Sequence, residues 1–77
     1  MSGEEQLIVT FPSTHQALRA ERVARAAAFE VAMVPVPRHI SSDCNMGMQA
    51  ALGDESALRR LLASEKVDCA FAHWAGD

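Results

Sequence analysis

The stretch that decides the fold runs from residue 31 to residue 36 and reads Val-Ala-Met-Val-Pro-Val, with a further proline at position 37. Its apolar and β-branched residues are typical of a β-strand. Proline has no backbone N–H and cannot donate a hydrogen bond to a neighbouring strand, so this strand is predicted to lie at the edge of a sheet. Residues two apart point their backbone groups to the same side, and Pro35 and Pro37 are therefore expected to face away from the sheet together.

The rest of the chain predicts the order strand, helix, strand, strand, helix, strand. The predicted strands are 7–11, 31–36, 46–52 and 68–74, and the predicted helices run from 14 to about 28 and from about 53 onward. This order is typical of an α+β, ferredoxin-like βαββαβ domain: a four-stranded antiparallel sheet with two helices on one face. Its usual strand order, four-one-three-two, puts the second strand at an edge, as the prolines independently require.

The first predicted helix begins with a capping box, in which the Ser13 side chain caps the helix and the Gln16 side chain reaches back to it. Glu21 and Arg25 are spaced to form an ion pair one helical turn apart. Small residues form a stripe at helical spacing and predict close packing on the sheet: Ala17, Ala20, Val23, Ala24, Ala27 and Ala28. In the second helix Leu58, Leu61 and Leu62 form the predicted core stripe.

Composition excludes several classes of function. The chain has 77 residues, enough for one domain, and its net charge of −3 comes with acids and bases interspersed. No stripe of Lys and Arg provides an electrostatic footprint for nucleic acid. No apolar run is long enough to cross a membrane, and the acidic N-terminus lacks the apolar segment of a secretory signal. We therefore expect a cytoplasmic protein whose two cysteines stay reduced.

The predicted topology gathers chemistry-bearing residues at one end of the sheet. The first strand ends and the first helix begins there, and so does the polar loop that contains Cys44. Unpaired N–H groups and a partial positive charge at a helix N-terminus stabilise a nearby thiolate. Arg38, or a protonated His15 or His39, acts in the same direction. Cys44 is therefore the candidate catalytic nucleophile.

The residues expected to surround Cys44 are candidate binding residues, because the same N–H groups can hold a phosphate or a carboxylate. They are Ser13, Thr14, His15, Arg38, His39, Ser41, Ser42 and Asn45. We interpret Cys69, which lies between apolar residues of the last strand, as a buried small side chain, with a role as resolving thiol left open. His73 is interpreted as structural. No metal site is expected, because the spacing of His15, His39 and Cys44 matches no known metal signature.

Several motifs resemble the small family of selenium/sulfur carrier-like proteins. They are Phe11-Pro12-Ser13-Thr14-His15-x-Ala17, then Glu21, then Val34-Pro35-Val36-Pro37-Arg38-x-Ile40-Ser41-Ser42-x-Cys44. The resemblance implies a cysteine that carries sulfur or selenium as a persulfide or perselenide without a cofactor, and Cys44 is the matching position. It also implies donor and acceptor proteins as partners. The chain departs from the family pattern at Ala28 and Asn45, where glycine is usual.

Two classes of function follow from these residues. One is a sulfur or selenium carrier; the other is a small-anion-binding, regulatory or dimerisation module in which Cys44 has no chemistry. A self-contained enzyme is not expected, because no carboxylate is obviously paired with the thiol. Apolar residues on both faces of the second strand, Val31 and Met33 on one and Val34 and Val36 on the other, predict a homo-oligomer.

Overall fold

A computed structural model describes residues 6–36 and 46–74 of the chain. The elements are β1 (Gln6–Thr10), α1 (Thr14–Ala26), β2 (Ala32–Pro35), β3 (Met46–Ala50), α2 (Glu55–Ser64) and β4 (Ala70–Trp74), with a short 3₁₀ turn at Leu52–Asp54 before α2. The four strands form one antiparallel sheet in the order β2-β3-β1-β4, and the two helices pack on one of its faces. The predicted α+β, ferredoxin-like fold and its strand order are confirmed.

The proline-containing strand lies at the edge of the sheet, as predicted. β2 pairs with β3 alone among the described strands, with Val34 opposite Gly47 and Pro35 opposite Met46. Pro35 is exposed and is the last residue of the strand. An edge strand tolerates a residue without a backbone N–H, because only one of its sides is paired. Pro37, the second proline of the prediction, lies outside the described residues.

The core lies between the sheet and the helices. β1 supplies Leu7 and Val9, which are opposite Ala50 and Met48 of β3 in the register. The other buried residues of this cluster are Phe11, Ala17, Ala20, Ala24, Leu58, Leu62 and Val67. The predicted leucine stripe of α2 is buried at Leu58 and Leu62 and half-buried at Leu61. The alanine stripe of α1 is buried in this core at Ala17, Ala20 and Ala24, as the sequence predicted.

The predicted alanine stripe is wrong at its C-terminal end. Ala27 and Ala28 are exposed, because α1 ends at Ala26 and these two residues form the turn that follows it. Ala28 has a positive φ of 71°, its N–H donates to the Arg25 carbonyl, and the Phe29 N–H donates to the Ala24 carbonyl. This pair of hydrogen bonds is a Schellman motif, whose left-handed position usually holds glycine. Ala28 therefore ends the helix in the way that a glycine does, with the strain of a side chain added.

Replacing Ala28 with glycine is expected to stabilise the protein. Relief of the left-handed backbone strain outweighs the entropy that glycine adds to the unfolded chain, for a net gain of about 0.5–1 kcal/mol in the free energy of unfolding. Urea denaturation measures the change. Ala27→Gly is the matched control: Ala27 is at φ −93°, so the substitution relieves no strain and should destabilise. Equal effects of the two substitutions would contradict the assignment of strain to Ala28.

Part of the sheet face opposite the helices is also buried. Ile8 alternates with Leu7 and Val9 and so points to this face, yet it is fully buried, and Val36 is buried as well. Both side chains lie over Gly47, where a Cβ atom would overlap Val36 Cγ2 and lie 3.2 Å from Ile8 Cγ2. Val36 therefore adds no exposed apolar surface to this face, and the apolar patch behind the predicted oligomer is smaller than the sequence suggested.

Gly47→Ala is expected to destabilise the fold by about 1–3 kcal/mol, because the added methyl group overpacks the contact with Val36. Val36→Ala removes the overlapping methyl groups, so the double variant should cost less than the sum of the two single variants. Thermal and urea unfolding of the four proteins measure this coupling. Strict additivity would show that the overlap is relieved elsewhere.

Candidate functional site

One end of each of the four strands lies at the same end of the sheet, which we call the rim. Thr10, the last residue of β1, is opposite Gly47 of β3 on one side and Ala70 of β4 on the other. Pro35, the last residue of β2, is opposite Met46, the first residue of β3. α1 begins a few residues after Thr10 and therefore starts at the rim. Pro35 and Met46, on either side of the 37–45 segment, therefore lie at the rim. The predicted convergence of residues 38–45 with the start of the first helix concerns residues outside the described ranges and stays a prediction.

The N-terminus of α1 is capped by Ser13, as predicted. Ser13 has extended backbone geometry, its Oγ accepts a hydrogen bond from the Gln16 N–H at 3.3 Å, and its carbonyl accepts from the Ala17 N–H at 3.1 Å. The reciprocal half of the capping box is wrong. Gln16 Oε1 is buried and accepts no hydrogen bond from any described residue, because the side chain does not reach back to Ser13. Thr14 and His15 are exposed in the first turn.

The proposed nucleophile and most of the predicted binding residues lie outside the described residues. They are Cys44 itself with Arg38, His39, Ser41, Ser42 and Asn45. The described residues on either side of them, Val36 and Met46, lie at the rim. Of the candidate binding residues, the structure therefore describes Ser13, Thr14 and His15, and it brings these three together at the start of α1.

Cys69 is a half-buried free thiol that packs against the core just before β4. Burial raises the pKa of this thiol, the Arg59 guanidinium acts in the opposite direction, and Asp68 raises it further. The thiol form is therefore favoured and its nucleophilicity reduced. β4 is two strands away from β3 in the sheet, as predicted, and this environment agrees with the interpretation of Cys69 as a packing residue.

A polar cluster that the sequence reading did not find joins α2 to β4. Both Nε and Nη2 of Arg59 donate to Glu55 Oε2, at 3.0 and 2.8 Å, and His73 Nε2 lies 2.9 Å from Glu55 Oε1. The Arg59 guanidinium also stacks over the Phe71 ring, 4.5 Å from its centroid. The i,i+4 spacing of Glu55 and Arg59 is a signal from which the first contact could have been predicted, but only the packing of α2 on β4 brings His73 to Glu55. The cluster supports the structural role predicted for His73.

Acid should weaken this cluster. The hydrogen bond from His73, followed by those from Arg59, lowers the pKa of Glu55 below its ordinary value of 4.5. The unfolded chain then takes up the proton first, so the stabilisation is complete above pH 4.5 and is lost as pH falls through the lower folded-state pKa. Glu55→Gln should flatten this part of the curve of unfolding free energy against pH. Glu65→Gln, which removes an exposed carboxylate at the end of α2, should leave the slope near that of the unmodified protein.

One cleft of the described structure lies at the opposite end of the sheet from the rim. It has a volume of about 650 Å³ and is formed by the end of α1, the start of β2 and the end of β3. Its lining includes Phe29, Glu30, Gln49 and Asp54. Of the candidate binding residues, the three that the structure describes, Ser13, Thr14 and His15, do not line this cleft.

The described ranges, 6–36 and 46–74, contain no cluster of three or more His, Cys, Asp or Glu side chains placed to hold a metal ion. None of their helices has the length and apolar character needed to cross a membrane.

Fold and rim together define a small α+β domain in which a helix N-terminus and four strand ends share one edge of the sheet. Residues 6–73 match the model of the family described as "Putative Se/S carrier protein-like", and the chain belongs to this family. No curated protein and no solved structure gives a significant match.

Proposed function

We propose that this protein carries a sulfur or selenium atom on Cys44, as a persulfide or perselenide, between a donor protein and an acceptor protein in the cytoplasm. The observation that carries the proposal is membership of the carrier-like family over residues 6–73. This range includes the Pro-x-Pro-Arg-x-Ile-Ser-Ser-x-Cys motif that ends at Cys44.

The geometry of the rim supports this choice of residue. Pro35 and Met46, which lie close to the two ends of the segment containing Cys44, are paired with each other, and Met46 adjoins Gly47, the partner of Thr10. α1 begins just beyond Thr10 with its N-terminal N–H groups at this edge. A thiol brought near these groups is stabilised as the thiolate by their partial positive charge.

The transfer step needs no cofactor and no net oxidation. The Cys44 thiolate attacks the outer sulfur of a donor persulfide, a bond forms between Cys44 Sγ and that sulfur, and the sulfur–sulfur bond of the donor breaks. The donor leaves as a thiolate, which takes up the proton that Cys44 gave up. An acceptor thiol then removes the outer sulfur from Cys44 by the same exchange, and selenium follows the same course.

The two cysteines have different parts in this proposal. Cys69 is half-buried and its thiol pKa is raised, so it is a poor thiolate at neutral pH. Cys44 is therefore the residue expected to be loaded, and Cys69 contributes packing to the core.

Loading is tested by measuring intact mass after incubation with glutathione persulfide. The unmodified protein should gain the mass of one sulfur, Cys44→Ser should gain none, and Cys69→Ser should still load. Ser13→Ala should load more slowly, because loss of the cap frays the α1 N-terminus, and it should cost about 1 kcal/mol of stability.

The matched cysteine variants separate the possible failures. Loading that persists in Cys44→Ser and disappears in Cys69→Ser would move the chemistry to Cys69. Failure of the unmodified protein to load from several persulfide donors would contradict the carrier proposal and favour a binding module without cysteine chemistry.

A further inference from the structure

The solvent-facing side of α1 carries an exposed leucine surrounded by basic residues. His15, Leu18 and Arg22 follow one another at helical spacing, Arg19 lies beside them, and all four are exposed. Leu18 is 54% exposed, more than Leu52, the other exposed large hydrophobic residue of the described chain. We call these four residues the α1 outer face.

The fold concentrates positive charge on the helices of an acidic protein. Six of the seven Lys and Arg residues lie on α1, on α2 or directly after α2: Arg19, Arg22, Arg25, Arg59, Arg60 and Lys66. Three acids lie on the same segments: Glu21, Glu55 and Glu65. The other parts of the chain hold the remaining seven acids and a single arginine. The helical segments thus carry a net positive charge in a protein whose net charge is negative.

The cations of the α1 outer face are not neutralised within the described structure. Glu21 pairs with Arg25 at 3.0 Å and Glu55 pairs with Arg59 at 2.8 Å, so two of the three helical acids are already used. Arg19 and Arg22 form no ion pair with any described acid. Arg19 Nη1 lies 3.5 Å from the Lys66 carbonyl, which places the basic end of α2 next to this face.

We propose that the α1 outer face is a docking surface for an acidic patch on a partner protein, with Leu18 as its apolar contact and Arg19 and Arg22 as its charged contacts. Protein interfaces are enriched in arginine. The apolar residue at the centre of such a surface loses its contact with water on binding, and the surrounding charges orient the partner. A single exposed leucine is common on protein surfaces. Here, however, Leu18 lies beside two arginines that form no ion pair with any described acid, in a protein of net charge −3, and this combination is complementary to a partner surface that is acidic and partly apolar.

A protein partner fits this face better than a nucleic acid. The net charge of −3 disfavours a long polyanion, and the α1 outer face offers no Phe, Trp or Tyr on which bases could stack. The face also begins at the rim, so a protein docked there lies next to the site proposed for Cys44. The docking proposal does not depend on the chemistry of that cysteine.

The test uses the full-length ¹⁵N-labelled protein and a synthetic amphipathic helical peptide built from glutamate and leucine. Saturable amide shifts should be confined to α1 and the end of α2, and affinity should fall as salt rises from about 0.05 to about 0.3 M. Arg22→Glu and Leu18→Ala should each weaken binding about fivefold or more. Arg60→Glu, the same charge reversal on α2, should change affinity less than about twofold.

Several results would overturn the proposal. They are absence of saturable peptide binding, equal losses from Arg22→Glu and Arg60→Glu, and shifts that map away from α1. Tighter binding of a single-stranded oligonucleotide than of the peptide to the same residues would favour a nucleic-acid partner instead. Both α1 substitutions are at exposed positions, and circular dichroism melting curves check that each variant keeps the fold.

Discussion

Pairing of β1 with a strand on each side is the constraint on which the rest of the structure depends. Leu7, Ile8 and Val9 are fully buried, so this strand has both faces covered, and each such side chain stabilises the fold by roughly 1.5–3 kcal/mol. The register fixed by this burial puts Thr10 opposite both Gly47 and Ala70. The strand ends stay aligned at the rim because a shift of one residue in this register would move the buried side chains of β1 to the opposite faces of the sheet.

The two helices end with the same C-terminal capping geometry, which here has a side chain at the position where glycine is usual. Ala28 and Lys66 both adopt positive φ, and in each case the next residue donates to the carbonyl five positions before it. Val67 is buried and Phe29 is packed against the core, so apolar contact after each turn offsets the backbone strain. The departure from the family pattern at Ala28 therefore changes the energy of the turn and leaves its geometry intact.

The charged residues of the helices form two surfaces, one whose arginines have no ion pair with a described acid and one whose charges are paired with each other. Helical cations remain exposed on the outer side of α1, while the Glu55, Arg59 and His73 cluster is occupied in joining α2 to β4. The first surface is the proposed docking surface, and the second joins the edge strand β4 to α2. The α1 outer face and the rim meet at the start of α1, and recognition and sulfur chemistry at these two places would act side by side.

Sequence alone determined the element order, the edge position of β2 and the cap at Ser13, because proline chemistry, hydrophobic period and capping residues act over a few neighbouring positions. It also determined which motif carries the family resemblance. Tertiary structure decided the failure of Gln16 to complete the capping box, the burial of Ile8 and Val36 over Gly47, and the contact of His73 with Glu55. Each of these depends on distances between residues far apart in the chain or on the space left by a neighbouring element, which no local pattern records.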